Sequence, residues 1–231
     1  MAKEKNLLDG VVKFVAAEGF ATFVADRLAA CTQAACEKLN VPHENLPRML
    51  DQQVYALLFT CVLEDLMTRA LPDGRNLTDA YVKRHGWKLG TAGKRALEAV
   101  RDSRFGMYEI IEVTPGVGMV LKDLVDNFDP VQVEAPSLSG ALPVGCPLGA
   151  RVMRAGGMPG LTGGILPFEV GMSAEAAEAV RGSDDPAAAI TNFWLLKTLQ
   201  EQLGQGGAES GTFEETAYFD GEVDEEPAAQ A

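Results

Sequence analysis

The sequence predicts an α+β fold: a helical N-terminal region packed with a small β-sheet or open barrel, two C-terminal helices and an acidic tail. Three observations carry this. Up to about residue 104 the apolar side chains recur at helical spacing, and from Met107 to Phe168 short β-branched runs alternate with Pro and Gly. From Gly204 to the end there are eight carboxylates and no Lys or Arg.

Taken in order, Leu7, Leu8, Val11, Val12, Phe14 and Val15 predict a first helix, which Gly19 separates from a second one bearing Phe20, Phe23, Val24 and Leu28. Asn40 to Pro47, with two prolines, reads as a connector. A long helix from about Arg48 to Ala70 follows; its run Tyr55 to Leu63 is apolar on nearly every face, which suits the centre of a bundle. Turn chemistry at Leu71-Pro-Asp-Gly74 ends it. Thr78 opens a short helix to His85, and Thr91 opens another to about Ser103, with Ala92, Leu97 and Val100 inward.

Met107 to Val113 reads as a strand, Thr114 to Gly118 as a turn and Met119 to Leu121 as the hairpin partner. Val131 to Glu134 and Ala150 to Arg154 alternate as half-buried strands do, and Leu161 to Phe168 closes the set, which suggests a curled sheet or open barrel. Ser173 begins a helix. Asp185-Pro186 begins a second, with a capping carboxylate and proline in the first turn, and Gly204 is expected to end it. The resulting regions are 1–104, 105–168, 169–203 and a tail, 204–231, whose composition predicts disorder.

The chain has 231 residues, 47% hydrophobic and 23% charged, with a net charge of −13. Such a length buries a core without disulfides or metals. Asp9, Lys13 and Glu18 interrupt the first apolar run, and Val54 to Leu63 is too short for a bilayer, so a cytoplasmic protein with no membrane association is expected. Cys31 and Cys36, five apart, point to different helix faces; with Cys61, Cys146, His43 and His85 they offer no zinc spacing. Buried reduced thiols and no metal or cofactor are therefore expected.

Ala99-Val-Arg-Asp-Ser103, Tyr108-Glu-Ile-Ile-Glu-Val113, Pro115-Gly-Val-Gly118, Leu121-Lys-Asp-Leu-Val125, Val133-Glu134, Gly145 and Ala150-Arg-Val152 form a pattern. It resembles the central region of certain uncharacterised bacterial proteins, some of which carry a C-terminal SEC-C metal-binding motif. The resemblance covers roughly residues 77–168 and implies a fold only. The cysteine-rich motif is absent, since no cysteine follows Cys146, so its metal role is not implied here.

Gly90-Thr-Ala-Gly-Lys94-Arg95 departs from a phosphate-binding loop in its first glycine, in Arg for the hydroxyl residue and in the preceding helix. Gly116-Val-Gly118 lacks the third glycine of a dinucleotide fingerprint, and no Gly-x-Ser-x-Gly elbow occurs. Glu64 and Asp65 adjoin the apolar helix face. A buried carboxylate there would have a raised pKa, but the reading favoured is a pair at the helix edge, with a neighbour such as Arg69 as partner.

Two charge distributions stand out. Between Arg69 and Arg104 nine basic residues face four acidic ones, in a helix-turn-helix order followed by a hairpin. That order fits a winged-helix nucleic-acid binder, with Lys94, Arg95 and Arg101 on bases and Lys83, Arg84 and Lys88 on the backbone. A solvated basic face is the plainer reading. The tail holds Phe213, Tyr218 and Phe219 among its carboxylates, a pattern suited to docking on a partner or on the chain's own basic segment. The function favoured is a non-enzymatic cytoplasmic macromolecule-binding or adaptor protein with a protein partner. A nucleic-acid binder using 78–121 is the alternative, and an enzyme with an unrecognised carboxylate site the third reading.

Overall fold

The computed structural model describes residues 7–205. Eight helices and a barrel-like sheet share them, so the α+β class holds. Helix α1 (Leu7–Ala17) turns at Gly19, whose φ of +75° favours a residue without Cβ, into α2 (Ala21–Leu39). The connector is more ordered than expected: a 3-10 turn (His43–Asn45) leads into the short helix α3 (Leu46–Met49).

The long helix does not run from Arg48. Leu50 is extended, and α4 (Gln52–Thr68) starts afresh where the Asp51 carboxylate accepts hydrogen bonds from the N–H groups of Gln53 and Val54. A capping aspartate satisfies amides that the first turn leaves open, which makes the break favourable. As expected, α4 lies at the centre: Leu58 and every residue from Cys61 to Met67 are buried. Helices α5 (Leu77–His85) and α6 (Thr91–Arg101) flank a 3-10 turn at Gly86–Lys88. Leu97 and Val100 of α6 are buried, whereas Ala92 is exposed.

Strands β1 (Arg104–Thr114) and β2 (Gly118–Asp123) form the expected hairpin, followed by β3 (Val131–Glu134), β4 (Pro147–Met153) and two-residue strands β5 (Gly160–Leu161) and β6 (Leu166–Pro167). Strand β1 pairs antiparallel with both β2 and β4, and β5 bridges β4 to β3, so five strands close on themselves. Ile110, Met119, Leu121, Val133, Leu148 and Ala150 fill the interior.

Strand β4 does not alternate between core and water. Its first five residues, Arg151 among them, are all buried, because its outer face packs on the helices. A Cβ at Gly149 would lie 2.4 Å from Ile190 of the last helix, so glycine permits that approach. Helices α7 (Ser173–Val180) and α8 (Pro186–Gln205) complete the chain, α8 continuing through Gly204 to the end of the described residues. Phe105 and Met107 of β1 share one apolar cluster with α2, α3, α4, α7 and α8, so one side of the barrel packs on the helices while its interior forms a cluster of its own.

Candidate nucleic-acid interface

The ordinary chemistry of a buried charge accounts for the most conspicuous polar cluster. Asp65 is paired with Arg27 (2.6 Å), Arg69 (2.8 Å) and Arg151 (3.4 Å). Arg27 also forks onto both oxygens of Asp185, the residue before α8. Burial alone would raise the Asp185 pKa, but the hydrogen bond from Arg27 and its neighbours hold it at about 2. The cluster joins α2, α4, β4 and the start of α8, and breaking one partner would leave a buried charge uncompensated.

The helix-edge reading of Glu64 and Asp65 is corrected here. Asp65 does pair with Arg69, yet both carboxylates are buried because the barrel covers this side of α4. Glu64 accepts hydrogen bonds from the Thr162 hydroxyl (2.6 Å) and the Gly163 N–H (3.0 Å), and its pKa is raised by burial. It fixes the loop between β5 and β6 to α4.

All four cysteines are free and buried. Cys31 and Cys36 enter different apolar clusters, as their spacing requires. Burial pushes the Cys31 thiol up to about 12 and raises the other three. Among the described residues no group of three His, Cys, Asp or Glu side chains could hold a metal ion.

The basic segment is laid out differently. Lys83 and Arg84 lie near the end of α5, Lys88 in the 3-10 turn, Lys94 and Arg95 near the start of α6, all exposed. Arg101, in the last turn of α6, is committed to Asp79 and Asp102 at 2.8 Å, and Arg84 faces Glu18 at 3.6 Å. Lys83, Lys88, Lys94 and Arg95 have no ion pair with any described residue. The hairpin is no free wing, since β1 and β2 are each paired on both sides within the barrel.

Two exposed aromatics join this face. Trp87, at 79% exposure, stands in the turn with the Lys88 ammonium 5.0 Å from its ring centroid. Phe128, 59% exposed in the β2–β3 loop, has the Arg104 guanidinium 5.2 Å from its centroid. Lys94 links the two ends: its Cε lies 3.5 Å from where a Cβ at Gly86 would be, over the turn that presents Trp87. The next residue, Arg95, lines a cavity of about 720 Å³ at the barrel end.

That cavity lies where β1 starts, β2 and β4 end and β3 begins, and α6 crosses it. Arg95, Arg104 and Arg154 provide cations, of which Arg104 is ion-paired with Asp126; Tyr108, Leu121, Phe128 and Val152 provide apolar walls, and Glu98 and Asp129 acceptors. Asp102 and Asp123 also line it, but Asp102 is engaged by Arg101, and Asp123 accepts the N–H groups of Val125 and Asp126. Burial, reinforced by the Asp123 charge, raises the Tyr108 pKa.

Sequence reasoning missed Trp87, Phe128 and Arg154. The available signal was a large aromatic in a polar turn, Gly86-Trp-Lys88 and Asp126-Asn-Phe-Asp129, where no apolar periodicity calls for one. Phe213, Tyr218 and Phe219 lie outside the described residues. No helix among the described residues is long and apolar enough to cross a membrane. Comparison with known proteins finds no matching family model, no matching curated protein and no matching solved structure, so the reading of this face rests on its own residues.

Proposed function

We propose that this chain is a non-enzymatic binding protein for single-stranded nucleic acid. One observation carries the reading: two exposed aromatic rings, each with a cation beside it, bracket Lys83, Lys88, Lys94 and Arg95, which have no ion pair with any described residue. Single strands are held in this way, with bases stacked on aromatic faces and phosphates met by a basic track. The barrel-end cavity suits an unstacked base at the end of that track. Tyr108 and Phe128 offer apolar contact, while Glu98 and Asp129 accept from exocyclic amino groups.

The closed arrangement, with β1 paired to β2 and β4 and β5 parallel to β3, is similar to OB-type barrels, whose faces and loops bind oligonucleotides or oligosaccharides. That is support by fold-level analogy.

Fluorescence anisotropy with a labelled 20-nucleotide poly-dT tests the proposal. Binding is expected at 50 mM salt and should weaken steeply as salt rises. Trp87→Ala should weaken it about tenfold, within the range for one lost stacking contact. Lys94→Glu with Arg95→Glu should weaken it further and flatten the salt dependence by about two charges' worth. The reading is overturned if neither the full chain nor a version with its eight C-terminal carboxylates as amides binds. Tighter binding of duplex than of single strand would also overturn it, in favour of a duplex-binding basic face.

A further inference from the structure

We infer that the acidic C-terminal segment, residues 218–226, covers the Trp87–Arg95 face of the same chain and competes there with the nucleic-acid strand. The inference rests on the function proposed above and adds its regulation.

Charge complementarity is the first argument. Lys83, Lys88, Lys94 and Arg95 are exposed without carboxylate partners among the described residues, on a chain whose formal net charge is −13. Glu209, Glu214, Glu215, Asp220, Glu222, Asp224, Glu225 and Glu226 follow the last described residue, with no Lys or Arg among them. Phosphates and carboxylates are drawn to the same cations, so a tethered run of carboxylates is a competitor. Tyr218 and Phe219 add rings that can meet Trp87 as a base would.

Chain length is the second argument, and it selects the part of the tail. Helix α8 runs beside α2 in the same direction, since Arg27 meets Asp185 while Ala30 and Ala35 meet Asn192. Asp185 shares a small cleft with Arg101 and Arg104, and Arg104 shares the barrel-end cavity with Arg95. The basic face therefore lies toward the start of α8, about 30 Å from Gln205 by the rise of a 20-residue helix. At about 3.3 Å per residue, Phe213 reaches only about 26 Å, whereas Tyr218 reaches about 43 Å. Tyr218, Phe219 and the five carboxylates between Asp220 and Glu226 can sit on the face; Phe213 falls short. A tether of this length sets a local concentration in the millimolar range.

Trp87 supplies a readout independent of any nucleic acid, because the other tryptophan, Trp194, is buried. Acrylamide quenching is compared for the full chain and for the full chain with all eight carboxylates changed to amides (E209Q, E214Q, E215Q, D220N, E222Q, D224N, E225Q, E226Q). The expected result is about twofold stronger quenching of the amide chain at 50 mM salt, a difference that vanishes at 500 mM. The same change should tighten poly-dT binding about tenfold at low salt, as removal of a millimolar-range competitor requires. Equal quenching of the two chains overturns the inference whatever the oligonucleotide does. A difference that grows with protein concentration overturns it too, since the tail would then be covering a second copy. If quenching changes but neither chain binds poly-dT, the intramolecular contact is upheld and the proposed function is what fails.

Discussion

Two sets of cations in this molecule obey opposite rules. Arg27 and Arg151 are buried and Arg69 is half-exposed beside them, and together they share Asp65 and Asp185. Lys83, Lys88, Lys94 and Arg95 are exposed and have no carboxylate among the described residues. An interior guanidinium must be paired, because isolated charge is expelled by a medium of low dielectric. A surface cation has water and is free of that requirement. An unpaired run of surface cations beside exposed aromatic rings is therefore where binding is to be sought, and the paired interior set is where stability is to be sought.

The largest effect that would sharpen this comparison is on the interior set. Asp65→Ala removes the carboxylate shared by Arg27, Arg69 and Arg151, and should cost about 3–5 kcal/mol, measured as a lower urea midpoint at unchanged slope. A loss below about 1 kcal/mol would mean that water reaches these guanidinium groups. Gly164→Ala comes next. Its Cβ would sit 2.8 Å from Glu64 and 2.9 Å from the Cys61 sulfur, so a cost of about 1–3 kcal/mol is expected from overpacking. On the exposed set, Lys83→Glu with Lys88→Glu should leave the urea midpoint within about 0.5 kcal/mol of the parent while weakening poly-dT binding. A large loss of stability there would break the comparison.

The smallest effect is on pH dependence. Asp185 is held at about 2, below its ordinary value, so its pairing stabilises the fold above the ordinary carboxylate range and is lost as pH falls toward 2. Glu64 runs the other way: its raised pKa means the folded chain holds that proton more tightly than the unfolded one. Its contribution is full below the ordinary carboxylate value and declines as pH rises through the raised one. Asp185→Asn should flatten the acid side of the thermal midpoint against pH, and Glu64→Gln the side above it. Unchanged profiles in both variants would mean that neither shift is felt in stability.

Much of the architecture was legible in the chain because it depends on local rules. The helical periodicity, the glycine at 19, the hairpin across Thr114–Gly118 and the Asp185-Pro186 start all appear where local preference puts them. The sequence by itself determined the element order, the change of texture near residue 104 and the stretch holding nine cations.

Tertiary structure decided the rest, for reasons that no local window contains. Whether Glu64 and Asp65 lie at a helix edge or in the interior depends on what covers α4, and the covering groups are about 100 residues away in sequence, at Thr162 and Gly163. Strand β4 reads as alternating, yet it is buried on both faces because α8 packs against Gly149. Arg101 and Lys94 are alike in sequence, but only Arg101 lies within reach of Asp79 on the neighbouring helix. Charge content is a property of the chain, whereas which charges are paired is a property of distance, and distance is set only when the helices and the barrel pack together.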